Sequence, residues 1–282
     1  MGMRIILILA MAACCLALAA CGGRSAGGKE RVVAGFYPLA FAAQELGGRH
    51  VEVENLTPAG AEPHDIEVSP RDVEAVRSAD LVLLLGRGFQ PQLERAAGSG
   101  NEVLHLLDTP GLAVHGDDDP HVWLDPVRYA LIVKRIGEAL HAKAAAARLD
   151  QRLRRLEGQY RRGLAHCARQ EIVTSHEAFA YLARRYGLEQ VAITGLSPEA
   201  EPTPQRLADV IQAVRNTHAT TVFSERLVSP RVAETVARET GVRTAVLDPI
   251  EGLTPDEETR GEDYFSLMRA NLTAVRKGLG CR

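Results

Sequence analysis

Net charge is nearly absent from this sequence, cysteines are few, and after the first twenty residues there is no long apolar run. The 282 residues carry 33 Lys and Arg against 36 Asp and Glu, a formal charge of -3. Residues 1–20 contain one basic residue, Arg4, and no acidic one, so their removal would move the charge from -3 to -4. Neither value builds the basic field that nucleic acid requires, and no nucleic-acid partner is expected. No segment beyond the N-terminal run is long enough to cross a bilayer. The chain also lacks a His-Glu-x-x-His helix, a Gly-x-Ser-x-Gly elbow, a Walker loop and a dinucleotide fingerprint. No short-period repeat is present, and the reading is of a non-enzyme.

What is present begins at the N-terminus. Arg4 precedes an apolar run over residues 5–19, short for a membrane span, and Ala19 and Ala20 lead into Cys21. Leu18-Ala19-Ala20-Cys21 resembles a bacterial lipoprotein cleavage box. The resemblance implies a signal peptide over 1–20 and a lipidated Cys21 that anchors the protein outside the cytoplasm at the cell membrane. The alternative is an ordinary secretory signal cut near Ala20. Residues 21–30, rich in Gly and Ser at their start, read as a flexible tether. Of the five cysteines, Cys14 and Cys15 would leave with the signal and Cys21 would carry lipid. Cys167 and Cys281 remain, and in an oxidising compartment they are expected to form a disulfide.

About 260 residues then remain for the fold, enough for two medium α/β lobes. Short β-branched or leucine-rich runs at 31–36, 51–56, 80–85 and 102–107 alternate with helical spacing at 38–47, 69–78 and 89–97. The rhythm returns with strands near 171–174, 190–194, 220–224 and 243–247 and helices near 177–186, 204–216 and 229–240. Alternation of this kind predicts an α/β protein of two lobes, 31–125 and 165–282, each a roughly four-stranded parallel sheet flanked by helices. Between them Asp125 is a good N-cap and Pro126 suits the first helical position. Ile132, Ile136, Leu140, Leu149, Leu153, Leu156 and Tyr160 then recur at helical spacing. That predicts one long, rigid linking helix over 126–164, with a break into two allowed by Gly137 and Gly158.

Three histidines stand in distinctive surroundings: Glu62-Pro63-His64-Asp65, Asp119-Pro120-His121-Val122-Trp123, and Thr174-Ser175-His176-Glu177. Asp248, after the apolar run 244–247, is a fourth candidate. Three imidazoles and a carboxylate complete a tetrahedral set that suits Zn2+ best. His64, His176 and Asp248 follow predicted strands, at the carboxyl ends where open parallel sheets gather their sites, and His121 sits where one lobe hands over to the other. Glu225 either faces the same cleft or serves a salt bridge. Asp117 to Asp119 reads as a solvated acidic turn, and His50, His105, His141, His166 and His218 as structural or solvated residues.

Several motifs together resemble the zinc/manganese ABC-transporter substrate-binding lipoproteins. They are Phe36-Tyr37-Pro38, Pro63-His64-Asp65, Ala79-Asp80-Leu81-Val82, Pro120-His121-Val122-Trp123-Leu124, His176-Glu177-Ala178-Phe179 with Tyr181, Arg185-Tyr186-Gly187-Leu188, Ser224-Glu225 and Leu247-Asp248-Pro249. The resemblance covers nearly the whole chain after residue 30. It implies metal held between two lobes by His64, His121, His176 and Asp248, and delivery as a monomer to an ABC permease with its ATPase. Manganese binders of the family tend to have a carboxylate at the third position, whereas His176 resembles the zinc branch. Zinc members often carry a long His- and acid-rich loop before the second ligand; here only His115 and Asp117 to Asp119 stand in that place. The competing readings are a manganese binder of the same family and a zinc hydrolase with Glu177 or Glu62 as general base.

Overall fold

Strand β1 (Glu30–Ala34), helix α1 (Tyr37–Gly47), β2 (Val51–Asn55), α2 (Pro70–Ser78), β3 (Leu81–Leu84), α3 (Pro91–Ala96) and β4 (Glu102–His105) build the first lobe. The computed structural model describes residues 28–98, 101–112 and 119–282, so Cys21, the signal segment, His115, Asp117 and Asp118 lie outside the described residues. The first sheet runs β2-β1-β3-β4 with every pair parallel. Its central strand β3 is Leu-Val-Leu-Leu and buried throughout, as a strand covered on both faces must be. Helix α2 starts where the sequence signals it: Ser69 and Asp72 form a reciprocal capping box around Pro70.

The second lobe repeats the plan with β5 (Glu171–Thr174), α6 (Ala180–Tyr186), β6 (Glu189–Ala192), α7 (Pro204–Asn216), β7 (Thr221–Ser224), α8 (Arg231–Thr240) and β8 (Arg243–Val246). Its sheet order, β6-β5-β7-β8, has the same parallel topology. In both sheets the chain after the first strand turns one way and the chain after the third turns the other. The two loops part and leave a crevice at the carboxyl ends. The short helix α9 (Pro255–Thr259) and the long α10 (Tyr264–Leu279) close the chain.

The link between the lobes differs from a single helix. Helix α4 (Pro126–Ala139) and helix α5 (Lys143–Gly163) are separated at Leu140–Ala142, where His141 takes a left-handed φ of 51°. They fold back on each other: one groove is lined by Pro126 and Val127 from the start of α4 together with Glu157 and Arg161 from the end of α5. Gly137 permits the close crossing, since a Cβ there would lie 2.7 Å from the Cβ of Ala146. The physical reason is a phase jump. Leu140 and Leu149 are nine residues apart, and at about 100° per residue they would face opposite sides of a continuous helix. The reversal brings both apolar stripes onto one core. Helix α5, with 21 residues and about 31 Å in length, is the long connecting helix.

That core is continuous across the lobes. It joins Phe36, Leu83 and Trp123 to Leu153, Tyr160, Phe179, Phe223, Leu247 and Tyr264, while smaller clusters around Val76 and Val214 fill the outer face of each lobe. The Tyr160 hydroxyl of α5 donates to the Met268 carbonyl of α10 at 2.6 Å. A disulfide joins Cys167 to Cys281 with Cα atoms 3.8 Å apart, tying the end of α10 to the segment that enters the second lobe. Its partners are 114 residues apart. The Cys167→Ser/Cys281→Ser protein is expected to lose about 2–4 kcal/mol of unfolding free energy in denaturant titrations. The parent should show neither thiol free in a non-reduced mass spectrum.

Candidate metal centre

Each histidine has its backbone N–H held by a carboxylate. His64 lies in a single 3-10 turn, Pro63–Asp65, whose N-cap Glu62 accepts the His64 backbone N–H at 3.1 Å. His121 immediately precedes another short turn, Val122–Leu124. The Asp119 carboxylate accepts both the His121 backbone N–H, at 3.0 Å, and its Nδ1–H, at 2.7 Å. His176 follows β5 by two residues, and Glu225, directly after β7, accepts its backbone N–H at 3.1 Å and its Nδ1–H at 2.8 Å. In both cases a carboxylate fixes the tautomer with Nδ1 protonated and turns the Nε2 lone pair inward.

Those Nε2 atoms meet one carboxylate. Glu251 Oε1 lies 3.2 Å from His64 Nε2, 3.1 Å from His121 Nε2 and 3.6 Å from His176 Nε2, and the His121 and His176 Nε2 atoms are 3.2 Å apart. All four donor atoms fall within 4.8 Å of one another. A tetrahedron with zinc-like bonds of 2.0–2.2 Å has edges of about 3.3–3.6 Å. The donors therefore stand close to the corners that such an ion requires. Among the described residues Glu251 Oε2 is buried without a hydrogen-bond partner, as a carboxylate that binds a cation would be.

Protons occupy the network in the absence of metal. Burial works against charge on His176, but the Glu225 carboxylate and a further bond to Glu251 outweigh it and raise its pKa to about 10. Burial opposes the His121 cation as well, yet Asp119 and Glu251 raise its pKa. Burial would also push the Glu251 carboxyl up; hydrogen bonds from His121, His176 and His64 instead hold it well below the usual range. The centre thus holds a buried carboxylate against a charged His176 imidazole, and a divalent ion binding there displaces that proton.

The structure brings together His64, His121 and His176 but not Asp248. Asp248 Oδ1 accepts the Ile250 backbone N–H at 2.7 Å, and Oδ2 faces the Arg226 guanidinium at 3.4 Å. Burial leads the causes that push its carboxyl up to about 7. The fourth corner belongs to Glu251, three residues further on. Asp248 is the first carboxylate after β8; Glu251, on the same loop, has the reach of one more methylene. Asp119 is likewise no solvated turn residue, being only 7% exposed and bonded to His121. Glu225 faces the cleft in the same supporting role. His50, His105, His141, His166 and His218 are all exposed.

Three imidazoles and a carboxylate, drawn two from each lobe into a buried cleft, define a two-lobed protein built to hold a divalent metal. The chain belongs to the family described as zinc-uptake complex component A, periplasmic, whose model matches residues 32–278. It is 31% identical to the high-affinity zinc uptake system protein ZnuA of Bacillus subtilis, over 96% of this chain and 97% of that protein. It is 35% identical to the zinc-binding lipoprotein AdcA of Streptococcus pneumoniae, over 98% of this chain but only 61% of the relative's length. The crystal structure of the Zn(II)-bound ZnuA-like domain of Streptococcus pneumoniae AdcA superimposes with a TM-score of 0.77 at 35% identity, covering 89% of this chain and 99% of that one.

Zinc uptake by the metal-free protein at about pH 7 is expected to expel at least one proton, because His176 is then charged and must lose its proton to bind. The sign follows: affinity rises with pH, by roughly tenfold per unit for each proton released. Titration calorimetry in buffers of different protonation enthalpy measures this directly. Heats independent of the buffer would contradict it.

Proposed function

We propose that the protein captures Zn2+ between its lobes and hands it to an ABC permease, and through it to an ATPase, for import. The observation that carries the proposal is the donor set: His64, His121, His176 and Glu251, spaced as the corners of a tetrahedral shell. An imidazole-rich tetrahedron suits zinc, whereas manganese prefers oxygen donors in a larger, octahedral shell. Membership of a zinc-uptake family and likeness to Zn(II)-bound relatives support the same metal. A hydrolytic role fits less well. Catalytic zinc keeps one position open for water, and here four protein ligands close the shell.

The protein acts outside the cytoplasm, in keeping with one relative named a zinc-binding lipoprotein and another named a zinc uptake system protein. Cys21 carries its lipid anchor, and the capturing unit is a monomer. Capture replaces protons in the cleft by metal. Release requires the two ligands of each lobe to part, since a closed shell of four would otherwise hold zinc too long.

Elemental analysis of protein purified without added metal is expected to find one equivalent of zinc. In competition titrations manganese should fail to displace zinc at comparable concentration, and His176→Glu should narrow the gap. The fourth ligand is decided by two variants: Glu251→Ala should weaken zinc binding by at least about tenfold, while Asp248→Asn should stay close to the parent. For the anchor, Cys21→Ser should move the protein out of the membrane fraction with zinc binding intact, and a variant still firmly membrane-bound would argue against lipid at that residue.

A further inference from the structure

We infer that Asn271 is a positioning residue of the metal centre: from α10 it fixes the turn Asp248–Glu251 so that the Glu251 carboxylate meets the three imidazoles. The inference rests on the ligand role of Glu251 proposed above. Its starting point is a backbone anomaly. Ile250, the residue before Glu251, is β-branched and fully buried, yet has a left-handed φ of 56°. A side chain of that shape resists this conformation, so neighbouring contacts must impose it.

Three sets of hydrogen bonds do so. Asp248 Oδ1 accepts the Ile250 N–H at 2.7 Å. The indole N–H of Trp123 donates to the Pro249 carbonyl at 2.7 Å. Asn271 grips Asp248 from both sides: its Oδ1 accepts the Asp248 N–H at 2.9 Å, and its Nδ2 donates to the Asp248 carbonyl at 2.6 Å. The amide is 2% exposed and stands on the apolar face of α10 among Leu267, Met268 and Val275. A leucine would satisfy the packing there; an amide is worth burying only where both of its halves are bonded, and one residue's backbone bonds both.

The same helix reaches the other lobe's ligand. Tyr264, two turns before Asn271, donates its hydroxyl to the Trp123 carbonyl at 2.7 Å. Trp123 is two residues from His121 and is itself bonded to Pro249. Helix α10 therefore ties the segment carrying His121 and the turn carrying Glu251 to one rigid rod, and sets the spacing between donors that come from different lobes. Neither Asn271 nor Tyr264 belongs to the group of donor atoms.

The test uses the full chain and two probes, zinc in competition with a chelator and cobalt(II) as a spectroscopic reporter of coordination. The parent should show the intense visible absorption of tetrahedral cobalt. Asn271→Leu should keep its far-UV circular dichroism and a cooperative unfolding transition, yet bind zinc about tenfold to a hundredfold more weakly, the range typical for residues that support a metal ligand. Its cobalt spectrum should lose tetrahedral intensity. Asp248→Ala, which frees the Ile250 N–H, should behave alike, and Asp248→Asn, which keeps the accepting oxygen, should resemble the parent. If Asn271→Leu does not fold, Asp248→Ala is read by the same criteria. Parental zinc affinity and cobalt spectrum in Asn271→Leu and Asp248→Ala, whatever their thermal stability, would overturn the inference. A parent without tetrahedral cobalt would instead overturn the metal-centre reading itself, and this inference with it.

Discussion

A carboxylate with no access to water has to be answered by positive charge, and the organisation around Glu251 follows from that requirement. Its side chain is fully buried and three imidazole nitrogens converge on it. Burying one ion costs several kcal/mol unless partners compensate it, and imidazoles compensate only when protonated or when they share a metal. Asp119 and Glu225 extend the same logic outward. By accepting from Nδ1 they make each ring a better donor at Nε2 and a stronger base. Protons and a cation are thus alternative ways to balance the same buried carboxylate.

That framework resists deformation. Large buried side chains from both lobes pack into one core around Trp123, Tyr160 and Tyr264, and α5 runs beneath it. The Gly60 N–H donates to the Leu253 carbonyl at 2.8 Å, an added backbone tie between a first-lobe loop and the segment beyond Glu251. Wide separation of the lobes would break this packing as well as the metal bonds. A parting of the ligands confined to the cleft loops would leave this packing intact.

Much of this organisation is legible in the sequence because it is local. The eight strands described appear as short apolar or β-branched runs with turn residues at their ends, and His64 and His121 sit in motifs that hold their own turns. What escapes is set at a distance. The half-turn phase slip between Leu140 and Leu149 is written in the spacing, but it is masked by a run of alanines compatible with continued helix. The choice of Glu251 over Asp248 has no local signature at all. It depends on a left-handed Ile250 that local preference opposes, in a turn where Asn271 holds Asp248 from 23 positions away and Trp123 holds Pro249 from 126. Asp119 is a similar case: three consecutive aspartates look like solvent-facing charge, and only the fold shows that the last turns inward.

The burial of the four donors is uneven. The side chains of His121, His176 and Glu251 have no solvent exposure, while that of His64 retains 11%. Traffic through the centre consequently has a threshold and a floor. An arriving ion, still carrying water, meets His64 first and sheds its hydration against the other three. For an ion on either passage, His64 is the one donor within reach of solvent, and the other three are sealed behind it.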